Sequence, residues 1–448
     1  MSSMLYPTTN LDAIEELTLV RGEGIYVFDD AGNRYLDGMS GLWCASLGYG
    51  NAEIAETARA QISTLSYAHM FGGKTHPTAI ELASKIASMV PVKDAHVFFG
   101  NSGSDANDTQ LKLLQYYYNG QGKPAKKKVI SRERAYHGVS VAASTLTGLP
   151  TTHAGFDTPF DTMGVIRVEA AHYYRQKLEG ESEEAFVDRL IANLGKAIEA
   201  NGAEHIAAMI IEPVVGAGGV VVPPAGYLPR LAKVLRDNDI LLWDDEVICG
   251  FGRTGNDFGC TTYGIEPDMM VFAKGLSSAY MPISAAVVSG AMYEGIVEQS
   301  RKAGVFGHGY TYSGHPVCCA VALKVLEIYA RDHIFARARE TGEYLQQRLV
   351  QFDQHPLVGE VRGVGMIAAL ELVADKQTGR AFKDGKVGAY AQKRCQAHGL
   401  ILRAVAGTSL AICPPLITTH AQVDELVAQL NTALDETLAY VAANHLNA

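Results

Sequence analysis

Between residues 97 and 289 the chain repeats one pattern, a short apolar run followed by a helix-length amphipathic stretch. The runs lie at 97–99, 128–130, 165–168, 207–211, 241–243, 269–273 and 285–289. Runs this short, apolar and rich in β-formers read as strands buried on both faces, as in a mostly parallel sheet covered by helices. The prediction is a central α/β domain of seven strands. Before it, GIYVFDDAGNRYLDG alternates like two short strands joined by a turn at 29–33, where Asp, Gly and Asn supply the turn chemistry. After it, helical patterns at 321–353, 388–398 and 421–443 alternate with strand-like VRGVGMIAALELV and SLAICPPL, a second α/β module. A chain of 448 residues is expected to divide into two or three domains. Without a repeat or a Pro/Gly/Ser linker, these should pack closely.

Charge narrows the partners. With 38 Lys+Arg against 48 Asp+Glu the net charge is −10, which disfavours polyanions because phosphate backbones are bound by clustered cations. Nucleic acid and anionic membrane surfaces are not expected partners, and the lysines at 126–128 read as a solvated strand entrance. The N-terminal residues lack a basic then apolar signal pattern, and no apolar run reaches the ~18–20 residues of a membrane helix. Seven cysteines, an odd number without CxxC spacing, predict free thiols in a reducing, cytoplasmic setting.

Ligands of open α/β sheets bind beyond the carboxyl ends of strands, so the residues just after each run are the informative ones. GNSGSDAND follows the first run and leads into a helical pattern, which makes a helix N-terminus able to hold a phosphate. The competing reading is an ordinary cap by Ser102 or Ser104, with Asp105 favouring the helix dipole. Lys274 ends a run and precedes a glycine; a partly desolvated lysine there is a Schiff-base candidate, unless it simply reaches out to water. Asp244, Asp245 and Glu246 close another run, and strand alternation sends neighbours to opposite faces. Phosphate anchor, strand-end lysine and strand-end acid are the three groups that pyridoxal phosphate requires together.

Three other patterns weigh less. GFGRTG at 250–255 matches GxGxxG but is followed by loop-like sequence instead of a helix. GNSGS would need glycine where Ser104 stands to be a nucleophile elbow, which leaves a serine hydrolase as a rival. His315 with Cys318 and Cys319 lacks zinc spacing, so no metal is expected.

GLWCASLGYG, FFGNSGSDANDTQLKL, AYHG, IIEPVVGAGGV, DDEVICGFGRTG, FAKGLSS and HGYTYSGHPV together resemble the class III pyridoxal-phosphate aminotransferases of fold type I, in the omega-amino-acid:pyruvate branch. The similarity runs from about residue 20 to about residue 440. It implies an α/β fold type I transferase with a large cofactor domain at 76–320, carrying the mostly parallel seven-stranded sheet. A small α/β domain would be formed by 1–75 and 321–448. By this resemblance Lys274 binds the cofactor's aldehyde, Asp245 pairs with its ring nitrogen, and Gly103 and Ser104 hold its phosphate. Tyr136 and Val247 cover the two ring faces, Glu212 organises the site around the tyrosine, and Thr311 reaches the phosphate of a neighbouring subunit. Trp43 and Tyr310 are implied as pocket walls, and Arg403 as the mobile arginine for the keto acid's carboxylate. The implied reaction is ping-pong transfer of an amino group from a primary amine or omega-amino acid to a keto acid, with GLWC and YSGHP pointing to pyruvate. The implied assembly is a homodimer or tetramer with shared sites. An aminomutase or a decarboxylase is the nearest alternative on the same fold.

Overall fold

A computed structural model describes residues 3–383 and 385–446. The predicted runs become one seven-stranded sheet built from β4 (His96–Gly100), β5 (Lys128–Arg132), β6 (Val165–Val168), β7 (Ile206–Ile211), β8 (Leu241–Asp245), β9 (Met269–Phe272) and β10 (Ser284–Val288). Their spatial order is β4-β10-β9-β8-β7-β5-β6. β10 runs antiparallel to both its neighbours, and the other pairings are parallel. All six residues of β7, IAAMII, are buried. Helices on both sheet faces leave such a strand no solvent side, so it loses the polar alternation of an exposed strand. Among the covering helices, Tyr227–Asp237 buries Tyr227, Leu228, Leu231, Ala232 and Leu235, a stripe at helical spacing. Each such leucine removed from water contributes about 1.5–3 kcal/mol.

The two ends of the chain meet in a second sheet. β1 (Leu19–Glu23), β2 (Tyr26–Asp29) and β3 (Arg34–Asp37) form an antiparallel meander, and β13 (Leu400–Ile401) joins β3 in parallel, Leu400 opposite Leu36 and Ile401 opposite Asp37. The third sheet is antiparallel: β11 (Val358–Val364), β12 (Ile367–Leu372), β15 (Ser409–Ile412) and β14 (Arg403–Val405), in that order. The C-terminal segment thus supplies strands to two sheets, one of them shared with the N-terminal segment.

Two expectations change. The helical pattern at 321–353 is two helices, Pro316–Arg331 and Ile334–Leu349, broken where His333 takes a left-handed φ of +51°. Lys126 is not solvated: it is 2% exposed and its Nζ bonds the carboxylate of Asp239 at 2.8 Å. Among the described residues no helix is long and apolar enough to cross a membrane.

A buried ion cluster ties the third sheet to the central one. Glu371 on β12 accepts from Arg362 at 2.7 Å, Arg175 at 2.7 Å and the Ser409 hydroxyl at 2.6 Å, while Arg362 also donates to the carbonyls of Gly219 and Val220. Burial alone would raise the Glu371 pKa, but the Arg362 charge, the Ser409 hydroxyl and Arg175 hold it well below the usual value. Because the folded pKa is lowered, the contribution to stability is complete above the ordinary glutamate pKa and is lost as pH falls toward the lowered one. Ser409→Ala removes one hydrogen bond to this charged group and should cost about 2 kcal/mol, read as a lower denaturant midpoint with an unchanged slope.

Candidate active site

The carboxyl ends of β4, β5, β7, β8 and β9 open into a cavity of about 660 Å³. Nine of the eleven site residues named from the sequence line it: Trp43, Gly103, Ser104, Tyr136, Glu212, Asp245, Val247, Lys274 and Arg403.

One end is built for an anion. The helix Gly103–Gly120 starts with a capping box in which the Ser102 side chain takes the Asp105 N–H and Asp105 returns a bond to the Ser102 backbone. The cap is present, and it leaves room for an anion at the same turn. Ser102 and Asp105 close the turn, and the N–H groups of Gly103 and Ser104, which no intrahelical carbonyl can serve, stay available. Ser104 Oγ accepts from the Val139 N–H at 3.2 Å, which leaves its own proton to donate. It has no histidine partner among the described residues, so the arrangement is not that of a serine nucleophile. Gly138 packs on it with φ +125°, and a Cβ there would stand 2.6 Å from Ser104 Oγ. Gly138→Ala should therefore displace the cradle and weaken cofactor binding roughly tenfold, about the lower end of an overpacking cost; cofactor titration of the apoprotein checks it.

The acid stands in the middle. Strand alternation on β8 turns Asp245 to the cavity and its neighbours away. Glu246 accepts the N–H groups of Gly259 and Cys260 at 2.9 and 2.7 Å, capping the helix Gly259–Tyr263. Burial and the adjacent Glu246 push the Asp244 pKa well up. Asp245 Oδ2 accepts from Asn107 Nδ2 at 2.9 Å and His137 Nδ1 at 2.8 Å, which places the imidazole proton on Nδ1. Asn107 also donates to the His137 carbonyl at 2.7 Å, and the His137 N–H is held by the Thr147 hydroxyl at 2.9 Å. Sequence reasoning missed Asn107 and His137 as site residues. Asn107 lies four positions after Gly103, one turn along the same helix face, and His137 sits inside the quoted AYHG.

At the other end, Lys274 follows β9 with φ +38°, and its Nζ lies 5.9 Å from the Trp43 ring centroid. Burial lowers its pKa. Glu212, just after β7, fixes two backbone segments: Oε1 accepts the Tyr136 N–H and Oε2 the Gly216 N–H, each at 2.9 Å. Burial raises its pKa. Arg403 opens β14 and has no carboxylate partner among the described residues; burial lowers its pKa while the Tyr136 phenol opposes that.

Two residues lie off this cavity. The Tyr310 hydroxyl is within 3.2 Å of both Thr109 Oγ1 and the Asp105 carbonyl, behind the helix that carries Gly103, and its ring meets His308 edge-on. It is not a wall of its own chain's cavity. Thr311 is exposed, with its carbonyl accepting from the Tyr67 hydroxyl at 2.8 Å.

The donor set fits pyridoxal phosphate: N–H groups and a hydroxyl for the phosphate, a carboxylate braced by Asn107, His137 and the Val247 N–H for the ring nitrogen, and a desolvated amine for the aldehyde. A cavity of this make-up at the carboxyl edge of a mostly parallel sheet defines a pyridoxal-phosphate-dependent transferase. The class-III aminotransferase profile matches residues 9–434, and the chain belongs to that family. It superposes on the omega transaminase from Pseudomonas jessenii in complex with PMP with a TM-score of 0.96 at 48% identity, covering 98% of this chain and 97% of that one. It is 43% identical to the putrescine–pyruvate aminotransferase of Pseudomonas aeruginosa over 95% of this chain and 92% of that one. It is 44% identical to the diaminobutyrate–2-oxoglutarate transaminase of Halomonas elongata, over 93% and 89%. The protein is an aminotransferase with an amine and a keto acid as substrates.

Proposed function

We propose that the enzyme moves the amino group of a primary amine or omega-amino acid to pyruvate, giving alanine, in two half-reactions at one cavity. The observation that carries the choice of acceptor is the charge count of its wall. Besides Lys274, Arg403 is a guanidinium there without a partner among the described residues, while Arg134 is engaged by the Gly218 carbonyl at 3.0 Å and by His172 at 3.3 Å. One free guanidinium suits one carboxylate, and a dicarboxylic keto acid would want two.

Pyridoxal phosphate supplies, when bound, the aldehyde that takes up the amino group and the ring that draws off an electron pair. In our reading Gly103 and Ser104 hold the phosphate, Tyr136 and Val247 confine the ring between them, and Asp245 holds a proton at the ring nitrogen. Lys274 Nζ carries the proton that moves during amino transfer, as a general base and then an acid. Arg403 Nη atoms bind the keto acid's carboxylate in the second half-reaction and swing aside for an apolar amine in the first. Trp43 limits the room beside Lys274.

We also read 1–75 and 321–448 as one small domain beside the large one at 76–320, supported by the pairing of β13 with β3. The seven free thiols support a cytoplasmic setting. Thr311, exposed and off its own cavity, supports a homodimer in which it, with Tyr310 beside it, serves the neighbouring site. A donor panel of β-alanine, taurine, putrescine and 1-phenylethylamine tests the proposal, run with pyruvate and with 2-oxoglutarate. Alanine should form well ahead of glutamate. Equal rates would remove the pyruvate assignment, and products of carbon loss or amino migration would favour a decarboxylase or an aminomutase.

A further inference from the structure

The loop that carries Trp43 is strongly contorted. Ser40, Gly41 and Trp43 have φ of +48°, +65° and +59°. Only one of the three is glycine, and non-glycine residues stay in that region only where their surroundings impose it. The last residue of β3 does so here. Asp37 is 2% exposed; its Oδ1 accepts the Met39 N–H at 3.0 Å, and its Oδ2 accepts the Gly41 N–H at 2.5 Å and the Tyr49 hydroxyl at 2.6 Å. A second anchor comes from Ser40, whose hydroxyl donates to the Cys413 carbonyl at 2.7 Å and accepts from Arg253 at 3.3 Å.

The indole itself has no such tether. Trp43 is 3% exposed, but its Nε1 has no hydrogen-bond partner among the described residues. It packs beside Gly216, where a Cβ would stand 3.5 Å from the ring, and its centroid is 5.9 Å from Lys274 Nζ. With no polar tether on the ring, the indole is held by its packing with Met39 and Ile248 and by the backbone of 39–43, which the Asp37 carboxylate fixes together with Ser40.

We propose that Asp37 is a positioning residue that sets the size of amine the cavity admits, by holding the 39–43 loop so that Trp43 stands beside the reacting end of Lys274. This rests on the reading of the cavity as the amine site. Asp37→Asn keeps the shape but replaces one acceptor oxygen with an amide nitrogen that meets the N–H of Gly41 or of Met39 donor to donor, so the loop loses one of its two backbone anchors on this side chain. Tyr49→Phe is milder, because it removes one donor and leaves the carboxylate.

The experiment compares kcat/KM for 1-phenylethylamine with that for propylamine, together with hydrogen exchange of the 41–45 amides in the apoprotein. Asp37→Asn should raise the ratio of bulky to small amine about tenfold, the scale of one relieved backbone strain, and should speed exchange at 41–45 alone. Tyr49→Phe should move both in the same direction by less. In a Trp43→Ala background Asp37→Asn should add nothing, since both changes would act on one wall. An unchanged ratio overturns the proposal, and so does a shift that persists without the indole. If Asp37→Asn does not fold, Tyr49→Phe decides by the same two outcomes. Should the unaltered enzyme convert neither amine, the substrate reading fails, while unaltered exchange at 41–45 in the variants would overturn the role of Asp37 by itself.

Discussion

Lys274→Ala is expected to reduce amino transfer by at least about 10³-fold, the scale of losing a positioned acid–base group together with the covalent anchor of the cofactor. Lys274 is the amine that lines the cavity. It is delivered there by the buried strand MMVF and by its own left-handed φ. Burial lowers its pKa, which increases the neutral, nucleophilic fraction at a given pH. The alanine side chain cannot carry a proton, and among the described residues no other amine lines the wall. The measurement is alanine formation at saturating substrates, alongside absorbance of the dialysed protein. The unaltered enzyme should stay yellow on dialysis and lose that colour when borohydride reduces the imine and fixes the cofactor to the chain, whereas the variant should lose its cofactor on dialysis. More than about a tenth of the activity in the variant would remove the general-base role assigned to Lys274.

Arg403→Ala should raise the KM for pyruvate by up to about 10²-fold while leaving the half-reaction with an apolar amine nearly unchanged, because a charge-assisted fork to a carboxylate is worth about 1.5–3 kcal/mol. The asymmetry is the test. Arg403 has no carboxylate partner among the described residues, so its removal strands no buried acid there and should leave the fold intact. Single-turnover kinetics with 1-phenylethylamine alone isolate the first half, and steady-state titration of pyruvate reads the second. Equal losses in both halves would show that Arg403 shapes the cavity without recognising the acid.

Much of this was legible because the central sheet is buried on both faces. Its strands read as apolar runs, and the candidate site residues Gly103, Asp245 and Lys274 follow those runs within one to four positions. What the sequence hid was of four kinds. Asn107 and His137 act through geometry between segments, and nothing in a polar residue's neighbours says which distant carboxylate it will meet. Lys126 pairs with an aspartate from a later loop, so a run of lysines looked solvated. His333 breaks a continuous helical pattern by one left-handed residue, a conformation that composition does not announce. Tyr310 stands in a cavity-like motif and yet turns behind the helix Gly103–Gly120, since a motif fixes neighbours along the chain and not the face they present.

The pairing of β13 with β3 has a consequence for when the enzyme becomes competent during synthesis. On the edge away from β2, Leu36 and Asp37 are paired by Leu400 and Ile401, roughly 360 residues later. At about 5–20 residues per second the N-terminal strands wait roughly 20–70 s on the ribosome before that edge can be completed. The wall that carries Trp43 hangs from one side of this junction and the one that carries Arg403 follows directly on the other. The nascent chain can therefore bury its central sheet long before it can select a substrate, and selection arrives only with the last tenth of the polypeptide.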